Sequence, residues 1–135
     1  LDVGCGTGYS SALLSRLAGA VVALESEPAL ADKARTLLSE LGAANVELVT
    51  GSLAQGHAAN APYDAILIGG SVEGVPEALL AQLGEGGRLV AVEGHGNAVV
   101  VRLYLKAAGI VTGRRAFNAA IKPLPGFERT HAFEF

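Results

Sequence analysis

Tryptophan and methionine are missing from this chain of 135 residues, and cysteine occurs once, at Cys5. One cysteine excludes an internal disulfide framework and, with no second thiol beside it, a cysteine-based metal centre. His57, His95 and His131 stand too far apart for a metal-ligand spacing, so no metal is expected. Lys and Arg number 10 against 13 Asp and Glu, a net charge of −3, and the basic residues are scattered. No basic stripe is therefore available for nucleic acid. No apolar run reaches the roughly 18 residues that a membrane-spanning helix requires, so no membrane association is expected. No linker, repeat or low-complexity segment divides the chain. No methionine opens it, and Leu1 already lies within an apolar strand, so an upstream part is expected to be missing. What remains is 50% apolar content with 17% charge, enough for one globular domain over residues 1–135 and too apolar for disorder. A monomer in the reducing cytoplasm is the expectation.

Apolar runs alternate with amphipathic segments, which predicts an α/β fold, a doubly wound Rossmann-like sheet that is mostly parallel with an antiparallel C-terminal end. A first strand at Leu1–Val3 enters a glycine turn, and a helix follows from Ser10 to Leu17, with Leu13, Leu14 and Leu17 at helical spacing. Ala20–Leu24 reads as a second strand. Ser26 and Pro28 open a helix through Leu41, which Gly42 ends. Strands are predicted at Val46–Val49 and Tyr63–Ile68. Pro76 starts a helix whose Leu79, Leu80 and Leu83 face inward, and the turn Gly84-Glu85-Gly86-Gly87 feeds a strand over Arg88–Val92. From Asn97 the pattern is β-rich: Ala98–Leu105, Ile110–Ile121 and a tail at His131–Phe135.

The chemistry begins in the run Leu1-Asp2-Val3-Gly4-Cys5-Gly6-Thr7-Gly8-Tyr9. A buried strand that turns sharply into a helix needs unusual dihedrals and missing Cβ atoms if a ligand is to approach the backbone, and Gly4, Gly6 and Gly8 supply them. A dinucleotide fingerprint asks for G-x-G-x-x-G, whereas here the third glycine comes one residue early and Tyr9 takes its expected place. The pattern of an acidic residue between two apolar ones, followed by G-x-G-x-G, instead resembles the first motif of class I S-adenosylmethionine methyltransferases. Glu25 ends the second apolar run. A carboxylate there has two acceptor oxygens for the vicinal hydroxyls of an adenosine ribose.

Further segments narrow the resemblance. Glu25-Ser26-Glu27-Pro28, Ala61-Pro62-Tyr63-Asp64-Ala65-Ile66, Val75-Pro76-Glu77-Ala78-Leu79-Leu80-Ala81-Gln82-Leu83 and Gly86-Gly87-Arg88-Leu89-Val90 resemble the protein-L-isoaspartate O-methyltransferases over nearly the whole chain. The resemblance implies S-adenosyl-L-methionine as cofactor and isoaspartyl-containing proteins or peptides as substrate, methylated on the isoaspartyl carboxylate. It implies that Asp2, Gly4, Gly6 and Gly8 line the methionine and ribose end and that Glu25 binds the ribose. It also makes Tyr9 and Ser10 candidates for the substrate side. Where the family shows Gly-Asp at the adenine, this chain has Gly51-Ser52, so Ser52 and Leu53 are the adenine candidates, the first by one hydrogen bond and the second by packing. Gly69-Gly70-Ser71 replaces an alanine-rich run, and Glu73 adds a negative charge near the expected pocket. Two alternatives stay open: a class I methyltransferase with a different acceptor, and a cofactor-binding domain without turnover.

Overall fold

A computed structural model of the chain describes residues 1–95, 98–118 and 121–128. The expected strand tail at His131–Phe135 lies outside the described residues. In chain order the elements are β1 (Asp2–Val3), α1 (Tyr9–Ser15), β2 (Val21–Glu25), α2 (Pro28–Glu40), β3 (Val46–Thr50), β4 (Tyr63–Val72), α3 (Glu77–Leu80), β5 (Leu83–His95), β6 (Ala98–Ala107) and β7 (Ile110–Asn118). Two short 3-10 turns, Leu53–Gln55 and Ala58–Asn60, join β3 to β4.

The seven strands form one sheet in the order β3-β2-β1-β4-β5-β6-β7. Strands β1 to β5 pair in parallel, and β6 and β7 finish the sheet antiparallel, as the sequence pattern predicts. From β1 the chain winds outward through β2 to β3, then returns to place β4 on the other side of β1. The order therefore reverses between β1 and β4, and a crevice opens at their carboxyl ends.

Strand pairing sorts the side chains onto two faces. Asp2 lies opposite Ala23 and Leu67, and Val3 opposite Leu24 and Ile68. Val3, Val22, Leu24, Ile66, Ile68 and Leu89 join Leu79 and Leu83 in the main core. The other face carries Ala23, which packs with Cys5 and with Ala34 of α2 in a second, smaller core. On that face α1 and α2 lie over β1 to β3. Farther along it, Val90 of β5 remains 37% exposed. Leu13 and Leu17, at and beyond the end of α1, are also exposed, so the helical spacing of these leucines does not direct them into the core.

Local chemistry explains most boundaries. Pro28 stands in the first turn of α2, where its missing N–H costs nothing, and Gly42 at φ +66° ends the helix. The Asn45 side-chain amide donates to the carbonyls of Ser15 and Ala18, satisfying the end of α1. Two expectations change. The helix after Pro76 stops at Leu80, and Leu83 reaches the core from β5 rather than from the helix. The reason is register: Tyr63 pairs with Leu83 while Ala65 pairs with Arg88, so the Gly84–Gly87 turn is an excursion inside β5 and not its start. Among the described residues β7 spans Ile110–Asn118, and Ile121, expected at the end of that strand, is not in strand conformation.

The segment of residues 121–128 turns back across the carboxyl end of the sheet. The Ser71 amide donates to the Lys122 carbonyl at 2.9 Å, and the Leu124 amide to the Ser71 carbonyl at 2.9 Å. Phe127, 5% exposed, anchors it in the main core.

Leu79 is fully buried whereas Val90 is partly open. Leu79→Ala should therefore cost about 2–5 kcal/mol, and Val90→Ala less than about 1 kcal/mol, both measured by urea denaturation.

Candidate functional site

The glycine turn sits at the carboxyl end of β1, beside the reversal in strand order. Gly4, Gly6 and Gly8 have φ values of +77°, +58° and +96°, a region that side-chain-bearing residues adopt at a cost. Their surroundings give them three different roles. A Cβ at Gly4 would lie 2.9 Å from the Leu124 methyls, so Gly4 makes room for the returning segment. A Cβ at Gly8 would lie 3.2 Å from Ala34, so Gly8 lets the turn press against α2. A Cβ at Gly6 would meet nothing within 4 Å; Gly6 alone of the three faces open space.

The amides of this turn are directed inward. Gly4 and Cys5 donate to the Leu24 carbonyl at 2.8 and 3.1 Å, and Gly8 to the Cys5 carbonyl at 3.0 Å. Gly6 donates to Glu25 Oε1 at 2.8 Å. These four donors are used within the protein.

Asp2 lies beneath the turn and is fully buried. Its Oδ2 accepts from the Ser10 hydroxyl at 2.7 Å and from the Ser11 hydroxyl at 2.6 Å. Its Oδ1 is buried with no hydrogen-bond partner among the described residues. A buried oxygen of this kind carries a large desolvation cost until a donor reaches it. Of the two residues expected on the substrate side, Ser10 donates to Asp2 and Tyr9 stands 72% exposed. Glu25, 4% exposed, is placed at the end of β2 as its position in the sequence predicts.

Ser52 is exposed and precedes the first 3-10 turn, whereas Leu53, 3% exposed, is committed to the main core. The loop that follows is held from a distance. The buried Gln82 side chain donates from Nε2 to the Gln55 carbonyl at 2.8 Å and accepts from the His57 amide at 3.0 Å. The Tyr63 hydroxyl donates to the His57 carbonyl at 2.5 Å. Burial, and then the negative charge of Glu47, push the Tyr63 phenol upward, keeping it a donor. Sequence reasoning missed Ser11 and Gln82 as site-supporting residues. The one signal available for Gln82 was a lone polar side chain inside the apolar run Leu79–Leu83.

The segment Gly69-Gly70-Ser71 has a packing explanation. A Cβ on Gly70 would lie 2.6 Å from Leu124, and one on Gly69 would lie 3.0 Å from the Gly4 carbonyl. A cavity of about 160 Å³ opens at the ends of β4 and β5, walled by Ser71, Glu73, Gly94, Phe127 and Glu128. A larger depression of about 450 Å³, at Arg35, Ser39 and Leu48, lies between α2 and β3. It holds none of the predicted site residues. Asp64 is exposed, and among the described residues no cluster of three potential metal ligands occurs. None of the helices in the described residues is long and apolar enough to cross a membrane.

Cys5 is buried against Ala23 and Ala34. Burial first, and then the charges of Asp2 and Glu25, push its thiol up to about 12.

Comparison with known proteins places these features in a family. The family model described as Protein-L-isoaspartate(D-aspartate) O-methyltransferase matches residues 1–125. The protein-L-isoaspartate O-methyltransferase of Methanoculleus marisnigri is 46% identical over 94 residues, covering 70% of this chain and 43% of that protein. A solved protein-L-isoaspartate O-methyltransferase superposes with a TM-score of 0.84 at 29% identity, over 93% of this chain and 42% of the other. A Plasmodium falciparum chain described as a beta-aspartate methyltransferase, solved in complex with S-adenosyl-L-homocysteine, has the same fold. Its TM-score is 0.77 at 23% identity, over 93% of this chain and 64% of the other. The chain spans about half the length of the curated relatives it matches, 43% and 60% of the first two.

Two outcomes follow from this geometry. Gly6→Ala should cost only the strain of its dihedral, about 1–2 kcal/mol, and Gly8→Ala distinctly more because the added methyl also meets Ala34, as read by urea denaturation. Cys5 should resist iodoacetamide at pH 8 in the folded protein and react once unfolded. Because its folded pKa exceeds the unfolded value, the unfolded chain releases the thiol proton first, and stability should fall as pH rises from about 9 to 12.

Proposed function

The chain belongs to the protein-L-isoaspartate O-methyltransferase family, and on that premise we propose that it binds S-adenosyl-L-methionine and methylates the carboxylate of isoaspartyl residues in damaged proteins. The observation that carries the reading is the fully buried Asp2 with its unpartnered Oδ1, set beneath a turn that is open at Gly6. A buried acceptor without a donor suits the cationic amino group of a methionine moiety, and an uncrowded glycine suits the close approach of a flat ligand. Glu25 supplies carboxylate oxygens for the ribose, and Ser52 a hydroxyl for the adenine edge. When bound, the cofactor supplies an electrophilic methyl group on a sulfonium.

The protein's own contribution is then positioning and exclusion of water. An isoaspartyl carboxylate has a solution pKa near 4 and is ionised at pH 7, so no base is required of the chain. A nucleophile, a carbon and a leaving group must be brought into line, and holding them so supplies most of the rate in such displacements. Ser10 and Ser11 fix the Asp2 carboxylate, and Leu124 and Phe127 draw the segment 121–128 over the end of the sheet, narrowing the access of water. The neighbouring cavity of about 160 Å³ is the acceptor pocket in this reading. The working form is a monomer in a reducing cytoplasm, in keeping with a lone buried thiol.

Replacing Ser52 with Asp should tighten S-adenosylhomocysteine binding about ten- to hundredfold, since a charge-assisted hydrogen bond to the adenine amino group is gained. Asp2→Asn should weaken it by a similar factor; calorimetry checks both. Radiolabelled methyl transfer to an isoaspartyl peptide, with none to its aspartyl twin, is the expected activity. Binding without transfer to either peptide would point to another acceptor or to a domain without turnover.

A further inference from the structure

Gln82 is a polar side chain in an apolar place. It lies 6% exposed between α3 and β5, and both ends of its carboxamide are spent on one loop far away in the chain. Nε2 donates to the Gln55 carbonyl and Oε1 accepts from the His57 amide, 27 and 25 residues distant. Gly56 stands between these two partners, and a Cβ there would lie 2.5 Å from Gln82 Oε1 and 2.7 Å from Leu79 Cδ2. The carboxamide therefore takes the place of a peptide unit paired across Gly56. The Gln82 backbone completes the clamp, since its carbonyl accepts from the Tyr63 amide at 2.8 Å while the Tyr63 hydroxyl reaches the His57 carbonyl.

What the clamp fixes lies upstream. The Gln55 amide donates to the Ser52 carbonyl at 3.3 Å, and the Gln55 carbonyl is the one that Gln82 holds, so two hydrogen bonds connect Gln82 to Ser52. Burial of Leu53 in the main core sets the depth of this 3-10 turn. One apolar side chain leaves its rotation free, and the bonds inside the turn, 3.2 and 3.3 Å, are long. Directional bonds from Gln82 supply what packing does not. Ser52 precedes the turn, yet its hydroxyl makes no capping hydrogen bond. That hydroxyl is left for a ligand.

We propose that Gln82 is the positioning residue of the adenine end: it sets the rotation of the turn Leu53–Gln55 and with it the direction of the Ser52 hydroxyl. The proposal rests on the S-adenosyl ligand assigned above. Gln82 acts through Gln55 and Ser52 rather than by touching the ligand. A neutral serine has no long-range attraction for the adenine amino group, so its contribution depends on how firmly it is aimed.

Calorimetric titration with S-adenosylhomocysteine and with its 6-deamino analogue, which carries hydrogen in place of the adenine amino group, tests this in the unaltered protein and in Gln82→Met. The unaltered protein is expected to prefer the parent ligand by about three- to tenfold, the value of one neutral hydrogen bond, and Gln82→Met by less than about twofold. A merely structural role would weaken both ligands equally, and an unchanged preference in the variant would overturn the proposal. Exchange of the His57 amide in the unaltered protein gives a second reading that needs no variant to fold. Because coupling is reciprocal, the parent ligand should slow this exchange at least about twofold more than the analogue does; equal protection by the two would overturn the proposal. Equal affinity of the unaltered protein for both ligands would overturn it by removing Ser52 from the amino group. Absence of binding by S-adenosylhomocysteine itself would instead defeat the functional reading on which the proposal stands.

Discussion

The end of β2 holds the glycine turn in place, and the site depends on that attachment. Two consecutive residues do it: the Leu24 carbonyl receives the amides of Gly4 and Cys5, and the Glu25 carboxylate receives the amide of Gly6. Strand β2 is buried at all five positions, so both acceptors are rigid and shielded from competing water. A turn with three positive φ angles would otherwise be among the most adaptable parts of the chain. Here three of its amides are taken up by β2 and that of Gly8 by the Cys5 carbonyl, and it becomes a fixed wall whose usefulness lies in the side chains it lacks.

Asp2 completes that arrangement from below. Two hydroxyls fill one of its oxygens and leave the other unpartnered in a buried position. A native fold tolerates such a group where a ligand or an ordered water supplies the missing donor. Burial first, and then the charges of the same carboxylate and of Glu25, raise the pKa of the Cys5 thiol, which keeps the one sulfhydryl of the chain neutral and inert. Polar groups around the turn therefore act together, and a change at any one of them is felt by the others.

Segment 121–128 has a comparable importance on the opposite side. It pairs with Ser71 and lays Leu124 across Gly4 and Gly70, which explains why glycine stands at both positions. The small residues Gly69, Gly70 and Ser71, expected after the fourth strand and found inside the last part of β4, are a packing solution to the chain returning over the sheet. The cavity beside them takes its walls from β4, β5 and this segment together.

Periodicity and punctuation made much of the fold legible. Alternating apolar runs, Pro28 before a helix and Gly42 after it gave the parallel sheet and the boundaries of α2, because local conformational preferences and burial agree there. The acidic-flanked glycine run located the turn, and Glu25 was identifiable as the last residue of an apolar strand. Sequence alone also revealed the family, through short runs such as Ala61–Ile66. It could not show that Leu83 belongs to β5, since the bulge at Gly84–Gly87 exists only relative to Tyr63 and Ala65 of the paired strand. Nor could it separate the roles of Gly4, Gly6 and Gly8, show Asp2 sharing one oxygen between Ser10 and Ser11, or give Glu25 the Gly6 amide. Each of those is decided by a residue distant in the chain: Leu124 against Gly4, Ala34 against Gly8, Gly6 against Glu25. Spacing determines which side chains share a strand or helix face, whereas the partners of a buried polar group are chosen only when the elements pack.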